Sequence, residues 1–206
     1  EVELLMKVLA FSDLHLSKAR AAALVEASLD ADLVIGAGDF CNMREGLTAA
    51  MGLVAGIEAP FVVVPGNCES AEELRAAAKP GMIVLHGEAA DVDGVARFGL
   101  GYGVPVTPFG AWSCDLTEED AAEMLSLCEN PDIMVFHSPP KGIADVTSTG
   151  LSVGSTAIRD AIARVQPKLA LCGHIHDAWG ERGRIDATEV VNLGPDVNWF
   201  EIEPKK

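Results

Sequence analysis

Short apolar runs that each stop at a turn carrying a carboxylate, an amide or an imidazole constrain this chain more than any other feature. Leu5 to Phe11 runs into Ser12-Asp13-Leu14-His15, and Leu33-Val34-Ile35 runs into Gly36-Ala37-Gly38-Asp39. Phe61 to Val64 is followed by Pro65-Gly66-Asn67-Cys68-Glu69, and Ile133 to Phe136 by His137-Ser138-Pro139-Pro140. Pro167 to Cys172 leads into Gly173-His174-Ile175-His176. Continuous apolar runs this short, bounded by turn signals, read as strands buried on both faces. An extended backbone sends residues i and i+2 to one face. Asp13 with His15, and His174 with His176, are therefore expected to share a face, with Gly173 letting the chain turn.

The segments between these runs have helical composition. Helices are expected over residues 19–28, 44–57, from the Ser70 N-cap through Ala78 to the stop at Pro80-Gly81, from the Thr117 N-cap to about Cys128, and over 155–165. Early strand–helix alternation favours a largely parallel sheet. Asp93-Gly94 signals a hairpin, so antiparallel strands begin there. Met82 to Leu85 reads as a further strand, ending at His86. Residues 180–183 read as a turn, and 189–192 and 198–202 as late strands. The pattern predicts an α/β fold, a mixed β-sandwich with helices on its outer faces, in one domain over residues 1–206. Met6 is a candidate natural start, which would make residues 1–5 an upstream extension.

Net charge is −16, from 31 acidic and 15 basic residues. Affinity for a phosphate backbone rests on Lys/Arg neutralisation, so no nucleic-acid polymer is expected as a partner, and no anionic membrane. A small phosphate substrate stays open, because bound cations can reverse the local field. Cys41, Cys68, Cys114, Cys128 and Cys172 are scattered and odd in number, which suits reduced thiols and a cytoplasmic setting.

Ligands of open α/β sheets bind beyond the carboxyl ends of the strands. Asp13, His15, Asp39, Asn67, His137, His174 and His176 all stand at such ends, so they can converge on one crevice. Two carboxylates, four imidazoles and an amide oxygen suit divalent ions of the Mn, Fe, Co, Ni or Zn kind. Seven donors are too many for one ion with an open position; they suit two ions sharing a bridging carboxylate. Taken singly, Asp13 and Asp39 also read as helix caps, Asn67 as a turn residue and His137 as a plain strand-end histidine.

Asp13-Leu14-His15, Gly38-Asp39, Gly66-Asn67-Cys68-Glu69, His137 and Gly173-His174-Ile175-His176 together resemble the ordered signature of the calcineurin-like metallophosphoesterases. The resemblance implies a four-layer α/β/β/α sandwich with two mixed sheets. It also implies a two-metal phosphoesterase site in which a hydroxide shared by the ions attacks phosphorus. By the same resemblance Asp13, His15 and His176 hold one ion, Asn67, His137 and His174 hold the other, and Asp39 bridges them. Asp39, Asn67 and His137 are the expected catalytic residues, and manganese is the favoured metal.

One position departs from that signature. Many members carry a histidine where Cys68 stands, and a thiol is a weak donor without positive charge. Cys68 is read either as a substitute near the phosphate or as a small buried thiol. The expected activity is that of a phosphodiesterase on a small or nucleotide-like phosphate ester. A phosphomonoesterase or nucleotidase, and a metal-binding scaffold with little turnover, are the alternatives. His86 is expected to be no ligand. Tyr102, Phe109 and Trp112 are expected to pack, and Lys141 and Asp145 are expected to be solvent-exposed loop charges.

Overall fold

The computed structural model describes residues 5–203. In chain order the strands are β1 (Met6–Phe11), β2 (Leu33–Gly36), β3 (Phe61–Val63), β4 (Met82–Val84), β5 (Glu88–Val92), β6 (Val95–Leu100), β7 (Ile133–Phe136), β8 (Leu169–Cys172), β9 (Arg182–Ile185), β10 (Thr188–Asn192) and β11 (Asn198–Ile202). The helices are α1 (Lys18–Ala27), α2 (Leu47–Leu53), α3 (Ala71–Ala77), α4 (Glu118–Leu125) and α5 (Thr156–Val165). One sheet has the order β11-β1-β2-β3-β4 and the other β5-β6-β7-β8-β10-β9. In the first, β1 to β4 are parallel and β11 lies antiparallel to β1. In the second, β6, β7, β8 and β10 are parallel, and β5 and β9 form antiparallel edges.

Alternation along each strand builds three apolar layers. Val8, Ala10, Ile35, Val62, Val135, Leu171 and Val191 meet in the core between the sheets. The opposite faces carry Leu9, Phe11, Val34 and Val63, which pack with Leu24, Met51 and Leu74 of α1, α2 and α3. On the far side Met134, Phe136, Ala170 and Val190 pack with Leu125 of α4 and Ile158 and Ile162 of α5. The result is the expected α/β/β/α sandwich with two mixed sheets. Both faces of the central strands are covered, which explains why their sequences are apolar throughout.

Residues 1–4, and with them most of the segment read as an upstream extension, lie outside the described residues. α2 begins three residues later than expected and ends sooner. Met43 (φ 44°), Arg44 (φ 71°) and Gly46 (φ 85°) are left-handed, and such residues cannot start a helix. Ser70 caps α3 in a reciprocal box with Glu73, and Thr117 caps α4, as their spacing predicts. Asp93 (φ 53°) and Gly94 (φ 78°) make the expected hairpin turn between β5 and β6. The turn expected over 180–183 is present at Gly180 (φ 82°) but ends sooner, since Arg182 and Gly183 already belong to β9; a second reversal falls around Asp186 (φ 49°).

His86, just past β4, turns away from the strand-end cluster. Its Nδ1 accepts the Gly101 N–H at 3.2 Å, and its ring lies 4.2 Å from that of Tyr102. Burial, with a smaller contribution from Arg75, pushes its pKa down to about 4. The unfolded chain then binds the extra proton between about pH 6.5 and 4, so this histidine costs the fold stability as pH falls through that window. His86→Asn keeps an acceptor and removes the titration. Between about pH 7 and about pH 4.5 the wild type should lose roughly 2 kcal/mol more stability than the variant, as read by urea unfolding.

Candidate metal centre

Because the parallel strands are in register, their polar ends form a row on each sheet. Phe11 pairs with Gly36 and Gly36 with Val63, while Val135 pairs with Leu171. Backbone and side-chain bonds then tie the two rows together. His137 Nδ1 donates to the Ala37 carbonyl at 2.8 Å, and the His174 N–H donates to Asp13 Oδ1 at 3.1 Å. Gly173 sits so close to the other sheet that an added Cβ would lie 2.5 Å from Asp13 Oδ2 and from Ser12 Cβ.

Four of the donors do not reach the centre in extended backbone. Asp13 (φ 53°), His15 (φ 44°), Asp39 (φ 56°) and His174 (φ 70°) are left-handed. At these four positions the chain turns sharply beyond the strand end, so turns, rather than period-two alternation, aim these side chains. The glycine before His174 provides close approach, and the left-handed turn falls on the histidine itself. These strained conformations cost free energy and mark a site where geometry is over-determined by its surroundings.

Donor atoms gather in three overlapping groups: Asp13 with His15 and His176, His15 with Asp39 and Cys68, and Asp39 with His137 and His174. Asp39 Oδ2 lies 3.5 Å from His15 Nε2, and Asp39 Oδ1 lies 3.5 Å from His137 Nε2. Backbone acceptors settle the tautomers. His15 Nδ1 faces the Cys41 carbonyl at 3.1 Å, and His137 Nδ1 faces the Ala37 carbonyl, so both protons belong on Nδ1. The two Nε2 lone pairs then point inward. His15 Nε2 meets His176 Nε2 at 3.2 Å, and His137 Nε2 meets Asn67 Oδ1 at 3.1 Å. Facing acceptors repel unless a proton or a cation lies between them. This donor set, converging lone pairs with oriented second nitrogens, fits a divalent ion on each side of Asp39.

Electrostatics agree with that geometry. Burial pushes the Asp39 carboxyl up, but the imidazoles of His137, His15 and His174 and the Cys68 N–H bring it below its ordinary value. Burial lowers His137, yet Asp39 and Asp13 raise it overall. His174 is held down to about 3 by burial and by the neighbouring His137, which keeps its lone pair free. His176 is also lowered, first by burial.

Several organising residues lay beyond the reading of the sequence. Glu69 is fully buried and its Oε1 accepts the N–H groups of Asp39 at 2.8 Å and Gly66 at 2.7 Å. Burial and the neighbouring Asp39 push its carboxyl up to about 7. Trp179 Nε1–H donates to Asp13 Oδ2 at 3.0 Å. Ser113 Oγ accepts from Asn67 Nδ2 at 3.0 Å, which turns the amide oxygen toward His137. Glu69 stands inside a motif, so its position was a signal. Trp179 and Ser113 follow from loop geometry that no spacing encodes.

The capping readings of Asp13 and Asp39 fall, since the N-cap positions of α1 and α2 are Ser17 and Gly46. Cys68 is buried beside the centre, its N–H donating to Asp39 Oδ1 at 2.9 Å, and burial pushes its thiol far up. Asp145 is not an exposed loop charge. It is fully buried and accepts from Gly142, Gly154 and Ser152, while Lys141 Nζ donates to the Ser152 carbonyl. Tyr102 packs as expected, its hydroxyl accepting the Ala71 N–H at 3.1 Å. Phe109 and Trp112, however, line the pocket over the donors together with His15, Asp39, Asn67, Cys68, His174 and His176.

Comparison with known proteins places this arrangement. The chain is 33% identical over 108 residues to the human and mouse proteins named metallophosphoesterase domain-containing protein 1. That match takes in 50% of this chain and 33% of those relatives. A crystal structure from Thermus thermophilus superposes with a TM-score of 0.73 at 18% identity, covering 96% of this chain and 99% of that one. A dimetal phosphatase from Danio rerio superposes with a TM-score of 0.60 at 12% identity, over 92% and 88% of the two chains. At these identities the structural likeness establishes the fold. The profile described as the calcineurin-like phosphoesterase superfamily domain matches residues 6–201. The chain therefore belongs to the calcineurin-like phosphoesterase superfamily, whose members are metal-dependent phosphoesterases.

Proposed function

We propose that this protein is a phosphodiesterase that uses two divalent ions, manganese foremost, to hydrolyse a small or nucleotide-like phosphate ester. The observation that carries the reading is the placement of Asp39, whose two carboxylate oxygens each face a different imidazole at 3.5 Å. Asp13, His15 and His176 are assigned to one ion, Asn67, His137 and His174 to the other, and Asp39 to both. Divalent ions there supply Lewis-acid polarisation of a phosphoryl oxygen and a water acidic enough to attack near neutral pH. The Danio rerio structure is named for such a pair of metals, which is in keeping with the assignment.

The chain's own groups support a diester as the substrate. Among the described residues, no lysine or arginine lines the pocket of about 260 Å³. Cys68, beside His15 and Asp39, brings a thiol, which is a weak hydrogen-bond donor and carries no positive charge. Little besides the metal ions would balance the second charge of a monoester or protonate a poor leaving group. A singly charged diester makes the smaller demand. His137, oriented by the Ala37 carbonyl, and Asn67, oriented by Ser113, keep their lone pairs aimed inward without reorganisation. The same reading takes residues 1–206 as one domain acting in the cytoplasm on a small molecule, and the net charge of −16 supports excluding nucleic-acid polymers as substrates.

The test is hydrolysis of bis(p-nitrophenyl) phosphate against p-nitrophenyl phosphate with Mn²⁺ added. The diester should be turned over about tenfold faster or more; a monoester preference would reverse the substrate assignment. Metal uptake without turnover of either ester would favour the scaffold reading. Asp39→Ala should lower kcat by about a thousandfold or more and reduce the bound metal in elemental analysis. Ser113→Ala should release the Asn67 amide and cost about 10-fold to 100-fold in kcat or metal affinity, with the unfolding midpoint nearly unchanged.

A further inference from the structure

The loop between β6 and α4 carries an aromatic pair to the mouth of the metal centre. Phe109 and Trp112 lie nearly parallel, with ring centroids 5.7 Å apart and an interplanar angle of 7°. The Phe109 ring also stands edge-on to His174 at 6.3 Å, so it is next to the donors rather than remote from them. Yet it is 50% exposed, while Trp112 packs against the core under the first sheet. Burial of a phenyl ring is strongly favourable, so a half-exposed ring beside a polar centre leaves apolar area available to a ligand.

The pair is also held in place by the centre itself. The Cys114 N–H donates to the Asn67 carbonyl at 2.9 Å, and Asn67 Nδ2 donates to Ser113 Oγ. Ser113 and Thr107 both donate to Asp115, and the Ser113 N–H closes a turn onto the Gly110 carbonyl at 3.1 Å. The loop is therefore tied by hydrogen bonds to a candidate metal ligand. A ring placed there is pre-organised, so contact with it loses little conformational entropy.

We infer that Phe109, backed by Trp112, is a stacking platform for a planar aromatic group, of nucleobase size and uncharged, carried by the phosphate ester. The inference rests on the phosphodiester reading and narrows it to a substrate class. An uncharged ring suits a pocket that Phe109 and Trp112 line and that, among the described residues, no lysine or arginine enters. Stacking is tolerant of base identity because every base has a π-face, so Phe109 sets a class of substrate and not one base.

Calorimetry on the Mn²⁺-loaded protein tests this without turnover, using hydrolysis-resistant phosphonates of adenosine and of ribose. The adenosine analogue should bind about tenfold more tightly than the ribose analogue. Phe109→Leu should bring that ratio to within about twofold of one by weakening the adenosine analogue alone, and Phe109→Trp should keep it. A wild-type ratio near one, no binding of either analogue, or an unchanged ratio in Phe109→Leu would overturn the platform. Assay of the same preparations on bis(p-nitrophenyl) phosphate separates the two claims. Diester turnover without a ratio sinks the platform alone; a ratio without diester turnover sinks the phosphodiesterase reading alone.

Discussion

A carboxylate buried among imidazoles from two sheets is the interaction on which the rest of this structure depends. Asp39 is almost wholly buried, and a buried charge is tolerated only when it is paired and hydrogen-bonded. The chain meets that condition from every side. The Cys68 N–H donates to Asp39 Oδ1, Glu69 accepts the Asp39 N–H, and imidazoles from the other sheet and from the loop after β1 face the two oxygens. What remains is a set of lone pairs aimed at one another, His15 at His176 and His137 at Asn67. Such an arrangement needs a proton or a cation between the facing atoms.

The sandwich makes this possible. One sheet offers Asp13, Asp39 and Asn67 beyond its strand ends, and the other offers His137, His174 and His176. Stacking the sheets face to face through Val8, Ile35, Val135 and Leu171 brings the two rows opposite each other. Neither sheet has the full donor set. The apolar core thus positions the chemistry, and the bonds His137 to Ala37 and His174 to Asp13 lock the rows together at the rim. Specificity is left to the loops, where the ring of Phe109 stands half-exposed beside His174.

Much of this was legible in the sequence because it follows from local rules. Apolar runs covered on both faces gave the central strands, Ser70 and Thr117 gave two helix starts, and Asp93-Gly94 gave a hairpin. The convergence of the donors was legible from their common position after strands. The route by which they converge was not: Asp13, His15, Asp39 and His174 adopt left-handed backbone that the spacing of polar residues does not reveal. The late start of α2 has the same cause at Met43 and Arg44. Asp145 escaped because its partners, Gly142, Ser152 and Gly154, belong to its own loop and are brought around it only by folding. Phe109 and Trp112 escaped for a related reason: an aromatic residue in a loop reads as packing until its neighbours are known.

The most direct test of the central claim is the number and position of the metal ions. Crystals grown with Mn²⁺ and measured near the manganese absorption edge would locate each ion by its anomalous signal. The account predicts two peaks, one on either side of Asp39 and about 3.5–4 Å apart, the usual spacing for two-metal hydrolysis. One peak would touch Asp13, His15 and His176, and the other Asn67, His137 and His174. A single peak, a pair not shared by Asp39, or no peak at saturating Mn²⁺ would contradict it.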